Sequence, residues 1–252
     1  MAADRTIILH VHLFKNAGTS FDAVLKRNFP GRWVTHEFPR GGTQGNAGLI
    51  LDWVDRAPAA VAFSSHTAWG PLPQRAGLRV ISALFLRDPL SRIRSAYRFE
   101  RTQAGATTLG AQLAQTADFE TYVRRRLDTP GDRQCRDFQV ERLGRMLPGP
   151  EPEVDRAIRA LDLISFVGLV SDFDGSMRRF ARLVQPWFAD FAPATAHRNR
   201  SEEAGASDET LSEEAQALLE RANAGDRALL AAAVARFAAG APAGAGAADQ
   251  GA

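Results

Sequence analysis

The chain has 252 residues, 45% of them hydrophobic and 24% charged, with a formal net charge of +2. That allows one large domain with a buried core, and arginines interspersed with acids argue against the one-sided basic face of a nucleic-acid binder. Cys135 is the sole cysteine, so no intrachain disulfide can form. No apolar run reaches the ~20 residues that span a bilayer.

The N-terminus carries Asp4 and Arg5 and lacks a signal-peptide cleavage pattern. A soluble cytoplasmic protein is therefore expected. Residues 6–14, TIILHVHLF, read as a buried strand. Phe21, Val24, Leu25 and Phe29 recur at helical spacing over 20–29, and Pro30-Gly31 ends that helix. A loop is expected over 39–48, a short helix over 49–57, and strands over 60–66 and 78–88. Asp88 is placed to cap the next helix, with Pro89 in its first turn and Leu90, Ile93 and Tyr97 turned inward. The small residues of 104–117 predict a mobile loop. Helix resumes over 118–127 and 153–163, a strand follows over 164–170, and a helix over 173–184. Residues 211–237 read as mostly helix with a Ser-x-x-Glu-type start at Ser212.

Strands alternating with helices predict a P-loop-like three-layer α/β/α fold with a central, mostly parallel sheet. A single domain is expected over 1–238, followed by a disordered low-complexity tail over 239–252.

The chemistry concentrates in HVHLFKNAGTSF, residues 10–21. A strand, a glycine turn and a helix start make an anion site, because the first helical N–H groups lack partners and the dipole favours negative charge there. Gly18 permits close backbone approach, Thr19 and Ser20 offer hydroxyls, and Lys15 offers a point charge. A Walker A loop carries its lysine directly after the last glycine, whereas Lys15 precedes Gly18 by three residues. Asp88 is the nearest candidate for a magnesium-binding aspartate, but Pro89 after it suits a helix cap better.

HLFKNAGTSF resembles the 5′-phosphosulfate loop of sulfotransferases that use 3′-phosphoadenosine 5′-phosphosulfate (PAPS). The closest pattern is the branch that includes heparan sulfate 2-O- and 6-O-sulfotransferases and their bacterial relatives. There the loop commonly reads His-Ile-Pro-Lys-Thr-Ala-Gly-Thr-Ser; here Phe14 replaces the proline and Asn16 the threonine. The branch also carries an arginine at a strand end and a serine eight residues later, both holding the 3′-phosphate. LFLRDPLSRIRSAY (84–97) is similar, with Arg87 and Ser95 in those positions. Arginine suits the task because it grips phosphate at two points with a charge that does not titrate. The resemblance covers about residues 6–237, more weakly beyond 164.

What the resemblance implies is a sulfotransferase acting on an acceptor hydroxyl, expected to belong to a carbohydrate, with PAPS as co-substrate and no metal. The cofactor-binding residues would be Lys15, Asn16, Ala17, Gly18, Thr19, Ser20, Arg87 and Ser95. Lys15 would also stabilise the leaving phosphate. The general base would be His66, about fifty residues after Lys15, followed by Trp69 in the His-x-x-Trp arrangement of the 6-O branch. Arg198, Arg200 and Ser201 are candidates for a basic loop closing over the cofactor.

Other features have plainer readings. His10 and His12 share one face of the first strand and could begin a metal site. With no acidic or cysteine partner evident in the sequence, a packed, hydrogen-bonded role is expected, with His12 in the family's usual loop-histidine position. Trp69 could stack on an acceptor or pack in the core, Arg124–Arg126 could meet an anionic acceptor or solvent, and Cys135 is expected to be inert packing. Two other functions compete: a nucleotide-dependent kinase of P-loop ancestry, against which the lysine position speaks, and a non-catalytic nucleotide-binding protein.

Overall fold

The computed structural model describes residues 5–39, 45–105, 107–193 and 209–239. Its centre is a sheet of five parallel strands: β1 (Arg5–Val11), β2 (Trp33–Thr35), β3 (Ala62–Ser65), β4 (Leu78–Leu86) and β5 (Phe166–Leu169), in the order β2-β3-β1-β4-β5. A parallel strand covered on both faces needs a continuous apolar run, and β1 through β4 supply one. Even-numbered Ile8, with Ala62, Ala83 and Phe85, faces α1 (Gly18–Asn28) and α8 (Phe173–Val184), where Phe21, Leu25, Met177 and Phe180 complete one core. Odd-numbered Ile7, Leu9 and Val11 face the opposite core. There α2 (Ala47–Arg56), α6 (Phe138–Gly144), α7 (Glu153–Ala160) and α10 (Ala224–Ala238) contribute Val54, Val140, Ala157 and Leu229. The fold is the expected three-layer α/β/α arrangement. A third cluster joins α3 (Pro89–Arg101), α4 (Leu109–Thr116), α5 (Phe119–Asp128) and α9 (Glu213–Ala222) through Ile93, Tyr97, Phe119 and Leu219.

Asp88 caps α3 as its sequence predicts: its carboxylate accepts from the Ser91 N–H at 2.8 Å, and Pro89 opens the helix. The stretch 104–117, expected to be a loop, instead holds α4. Alanine is the best helix former, Thr108 caps the helix by accepting from the Ala111 N–H, and Ala111 and Ala114 are buried. The mostly helical stretch expected over 211–237 is present as two helices that meet at Asn223, whose buried side chain donates to the Cys135 and Leu219 carbonyls. Ser212 does cap α9 through Ala215 N–H, but Ala215 occupies the position of a capping-box glutamate. Glu120 of α5 accepts from the Ser212 N–H in its place, at 2.7 Å. Among the described residues no helix is long and apolar enough to cross a membrane. The sequence-predicted tail (239–252) lies outside the described residues except for Ala239.

Candidate active site

β1 is the central strand, and the chain runs from it toward β3 and β2 on one side and toward β4 and β5 on the other. The crevice beyond the carboxyl ends of β1 and β4 is thus the switch point where ligands bind in open α/β sheets. Both sequence-predicted anion elements lie there. The loop after β1 places Lys15 (φ 62°) and Ala17 (φ 58°) in the left-handed region, and Ala17 starts α1 with no side-chain cap. Alternating backbone hands of this kind turn successive N–H groups toward a common point and make an anion-binding concavity. Thr19 is exposed, while Lys15 and Ser20 are half-buried. Lys15 Nζ stands 4.5 Å from the centre of the Phe99 ring on α3.

Arg87, at the end of β4, donates through Nη1 to the Lys15 carbonyl at 3.1 Å, so the two elements touch. The Asn16 side chain, placed in the cofactor loop by its sequence, is buried and donates to the Phe85 carbonyl and to Gln139 Oε1, each at 2.8 Å. The Asn16 backbone is engaged as well, its N–H donating to the Leu13 carbonyl at 3.2 Å, so Asn16 ties the loop down. Ser95 lies on the buried side of α3 at 2% exposure.

Register brings the histidines together. Pairing of β1 with β3 sets His10 beside Ser64 and Val11 beside Ser65, and the His12 N–H continues the ladder to the Ser65 carbonyl at 2.9 Å. The next residue of the β3 chain is His66. Its Nδ1 donates to the His12 carbonyl at 3.1 Å, and its ring lies 3.7 Å from that of His12. This hydrogen bond selects the tautomer with the lone pair on Nε2. Burial and the neighbouring His12 imidazole push His66 below its ordinary value, against smaller pulls from Glu37 and Asp22. Glu37 also accepts from the His66 N–H at 3.0 Å and from the Thr67 hydroxyl at 2.8 Å, fixing the strand end.

Behind His66 lies a group that sequence reasoning missed. Asp22 of α1 meets His10 Nδ1 at 2.8 Å, His12 Nδ1 at 3.2 Å and the Ser64 hydroxyl at 2.6 Å. An acidic partner is thus present for the histidine pair, contrary to the sequence expectation. Burial works against the Asp22 carboxylate, but the hydrogen bonds from His10, His12 and Ser64 outweigh it and hold it well below the usual carboxylate range. Burial pushes His12 below its ordinary value, and its bond to Asp22 pulls the other way. His10, His12 and Asp22 offer donor atoms within 4.8 Å of one another, a set chemically suited to a divalent metal. As they stand, the spacings are those of hydrogen bonds, and one carboxylate accepting from two imidazoles and a hydroxyl closes the proton count without an ion. The His12 ring also explains Gly18. A Cβ there would fall against the ring, with Cε1 at 2.7 Å and Cδ2 and Nε2 nearer still.

The remaining candidates separate. Trp69 carries Arg142 over its ring at 3.9 Å and Arg145 at 4.7 Å, and its Nε1 donates to the His66 carbonyl, so guanidinium groups already stack on it. Arg124 pairs with Glu120 and Glu214, and Arg126 with Glu100 and Asp132, which turns two of the three basic positions to internal use. Cys135 is 1% exposed, and burial pushes its thiol up to about 12, as inert packing requires. Arg198, Arg200 and Ser201 lie outside the described residues.

No protein-family model matches the chain. Over 202 residues it is 36% identical to an uncharacterized protein of Archaeoglobus fulgidus, an alignment spanning 78% of this chain and 80% of the archaeal one. The chain belongs to the same family as that archaeal protein.

Proposed function

We propose that the protein is a PAPS-dependent sulfotransferase that moves a sulfuryl group from 3′-phosphoadenosine 5′-phosphosulfate to an acceptor hydroxyl. The observation that carries this reading is the junction of two anion-binding elements at adjacent strand ends, Arg87 Nη1 on the Lys15 carbonyl at 3.1 Å, with His66 beside the same loop. An ATP site needs its lysine after the glycine and a magnesium-binding carboxylate; here Asp88 is engaged as a helix cap. The carbohydrate nature of the acceptor follows from the resemblance alone.

PAPS supplies the activated sulfuryl group as a mixed anhydride with phosphate. The backbone N–H groups of Gly18 and Thr19, with the hydroxyls of Thr19 and Ser20, would hold its 5′ end. Arg87 and Ser95 would hold its 3′-phosphate. His66 Nε2 takes the acceptor proton as the acceptor oxygen bonds to sulfur and the sulfur–oxygen bond to the phosphate breaks. Lys15 offsets the negative charge that builds on the departing phosphate.

Calorimetry without metal, comparing adenosine 3′,5′-bisphosphate with ATP, tests the reading. The bisphosphate should bind more tightly, and Arg87→Ala should weaken it by about 10- to 100-fold, the worth of one charge-assisted contact. Preference for ATP, or an Arg87→Ala variant that binds the bisphosphate as the wild type does, would sink the proposal. An acceptor screen with sulfur-labelled PAPS then compares wild type with His66→Ala.

A further inference from the structure

Gln139 is fully buried, lies on α6, and is not among the residues singled out by the resemblance. Its side chain makes four hydrogen bonds. Oε1 accepts from the Asn16 side chain at 2.8 Å and from the Arg87 N–H at 2.9 Å, while Nε2 donates to the Arg87 carbonyl at 2.9 Å and to Asp226 at 3.2 Å. One amide therefore grips both sides of the Arg87 residue and, through Asn16, the middle of the Lys15 loop.

The grip is itself anchored. Asp226 of α10, fully buried, accepts from the Gln139 and Val140 N–H groups at 3.2 and 2.8 Å, and so holds the first turn of α6. Asp137 returns the favour to α10 by accepting from the Asp226 N–H at 2.8 Å, and the Asn223 side chain accepts from the Asp137 N–H. Each helix start caps the other. Gln139 thus stands on a rigid base from which it fixes the loop after β1 relative to the end of β4.

We infer that Gln139 is the positioning residue that sets the span between the two phosphate subsites, so that the protein selects a nucleotide phosphorylated at both 3′ and 5′ over one phosphorylated at either end. This rests on the sulfotransferase reading. The physical reason is preorganisation: a ligand that engages two sites gains from both only if their separation is fixed before it arrives. A ligand that engages one site does not depend on that separation. Gln139 touches no ligand, so its loss should fall on the bisphosphate selectively.

The test measures dissociation constants of adenosine 3′,5′-bisphosphate, 5′-AMP and 3′-AMP for wild type and Gln139→Leu, which keeps most of the bulk and removes all four bonds. The variant should weaken the bisphosphate at least about 10-fold and each mononucleotide less than about 3-fold. Equal weakening of all three, or no weakening of any, overturns the inference. If Gln139→Leu does not fold, Asn16→Ala cuts the grip on the loop alone and is judged by the same comparison. Wild-type protein that binds the bisphosphate no better than the mononucleotides overturns the function reading itself, an outcome visible before any variant is made.

Discussion

Replacing Gly18 by alanine should destabilise the fold through one contact. The φ of Gly18 is outside the left-handed region, so alanine can adopt its backbone, and alanine in a helix would by itself be favourable by up to about 1 kcal/mol. The obstacle is the His12 ring, whose Cε1 would lie 2.7 Å from the new Cβ with two ring atoms closer. That ring cannot step aside cheaply. Asp22 holds its Nδ1 at 3.2 Å, His66 packs on it at 3.7 Å, and His10 stacks on it at 4.9 Å. Overpacking of this sort costs about 1–3 kcal/mol, and a displaced ring also loses a hydrogen bond to a charged group worth about 1.5–3 kcal/mol. Set against the helix gain, the net loss is about 1.5–5 kcal/mol, or a Tm lower by about 3–20 °C for a chain of this size. Urea denaturation followed by tryptophan fluorescence reads it directly. The decisive arm is the double variant: with His12→Ala in place, Gly18→Ala should be neutral or stabilising, giving a coupling of about 1.5–6 kcal/mol. The same loss in both backgrounds would refute the steric reasoning.

Three further outcomes are expected. With His66 as base and its imidazole held below the ordinary value, kcat/KM for sulfuryl transfer should rise through a limb centred below pH ~6.5 and be level above it, and His66→Ala should lower the rate about 10²- to 10⁴-fold; a limb centred above that value would remove His66 from the role. Cys135 should resist iodoacetamide at pH 8 in the native state and react once urea unfolds the chain, since its thiol is buried and raised to about 12; rapid native labelling would contradict that. The Asp22 carboxylate, held below the usual range, contributes stability that is full above pH ~4 and is lost as pH falls from there toward its lowered native value. Asp22→Asn should therefore be less stable at pH 7 by about 1.5–3 kcal/mol and show a flatter acid limb; an unchanged acid limb in denaturation curves would show that the carboxylate is not held as described.

Where a signal was local, the sequence carried it. The apolar runs of β1 and β4, the Asp88-Pro89 helix start and the whole span of α8 are legible from neighbours in the chain. β2, three residues long, is too short to show a period. α6 escaped for a different reason: its seven residues carry charge and little periodicity, and what holds its start, Asp226, lies 87 residues away from Gln139. The site divides in the same way. Lys15, Arg87 and His66 belong to motifs with fixed spacing. Asp22 belongs to none, yet a signal existed, since it is the sole acid of α1 and that helix covers the strand face bearing His10 and His12. Reading which helix packs on which strand face would have paired them.

The misplaced lysine of the loop has a structural meaning. Three non-glycine residues among those described have positive φ: Lys15, Ala17 and Asp137. A side chain in that region costs about 1–2 kcal/mol, and such strain persists only where the surroundings over-determine it. A glycine-rich phosphate loop avoids that cost by backbone freedom. This loop takes the same kind of shape with Lys15 and Ala17, so the shape must be imposed from outside. The constraints are visible: Asn16 between them is tied to Phe85 and Gln139, Arg87 holds the Lys15 carbonyl, and the His12 ring lies against Gly18 just beyond. Asp137, the third strained residue, starts the helix that carries Gln139. Strain at the loop and strain at its support are therefore joined by one buried amide, which is why a loop without the usual glycines can still keep a fixed, cradle-like shape.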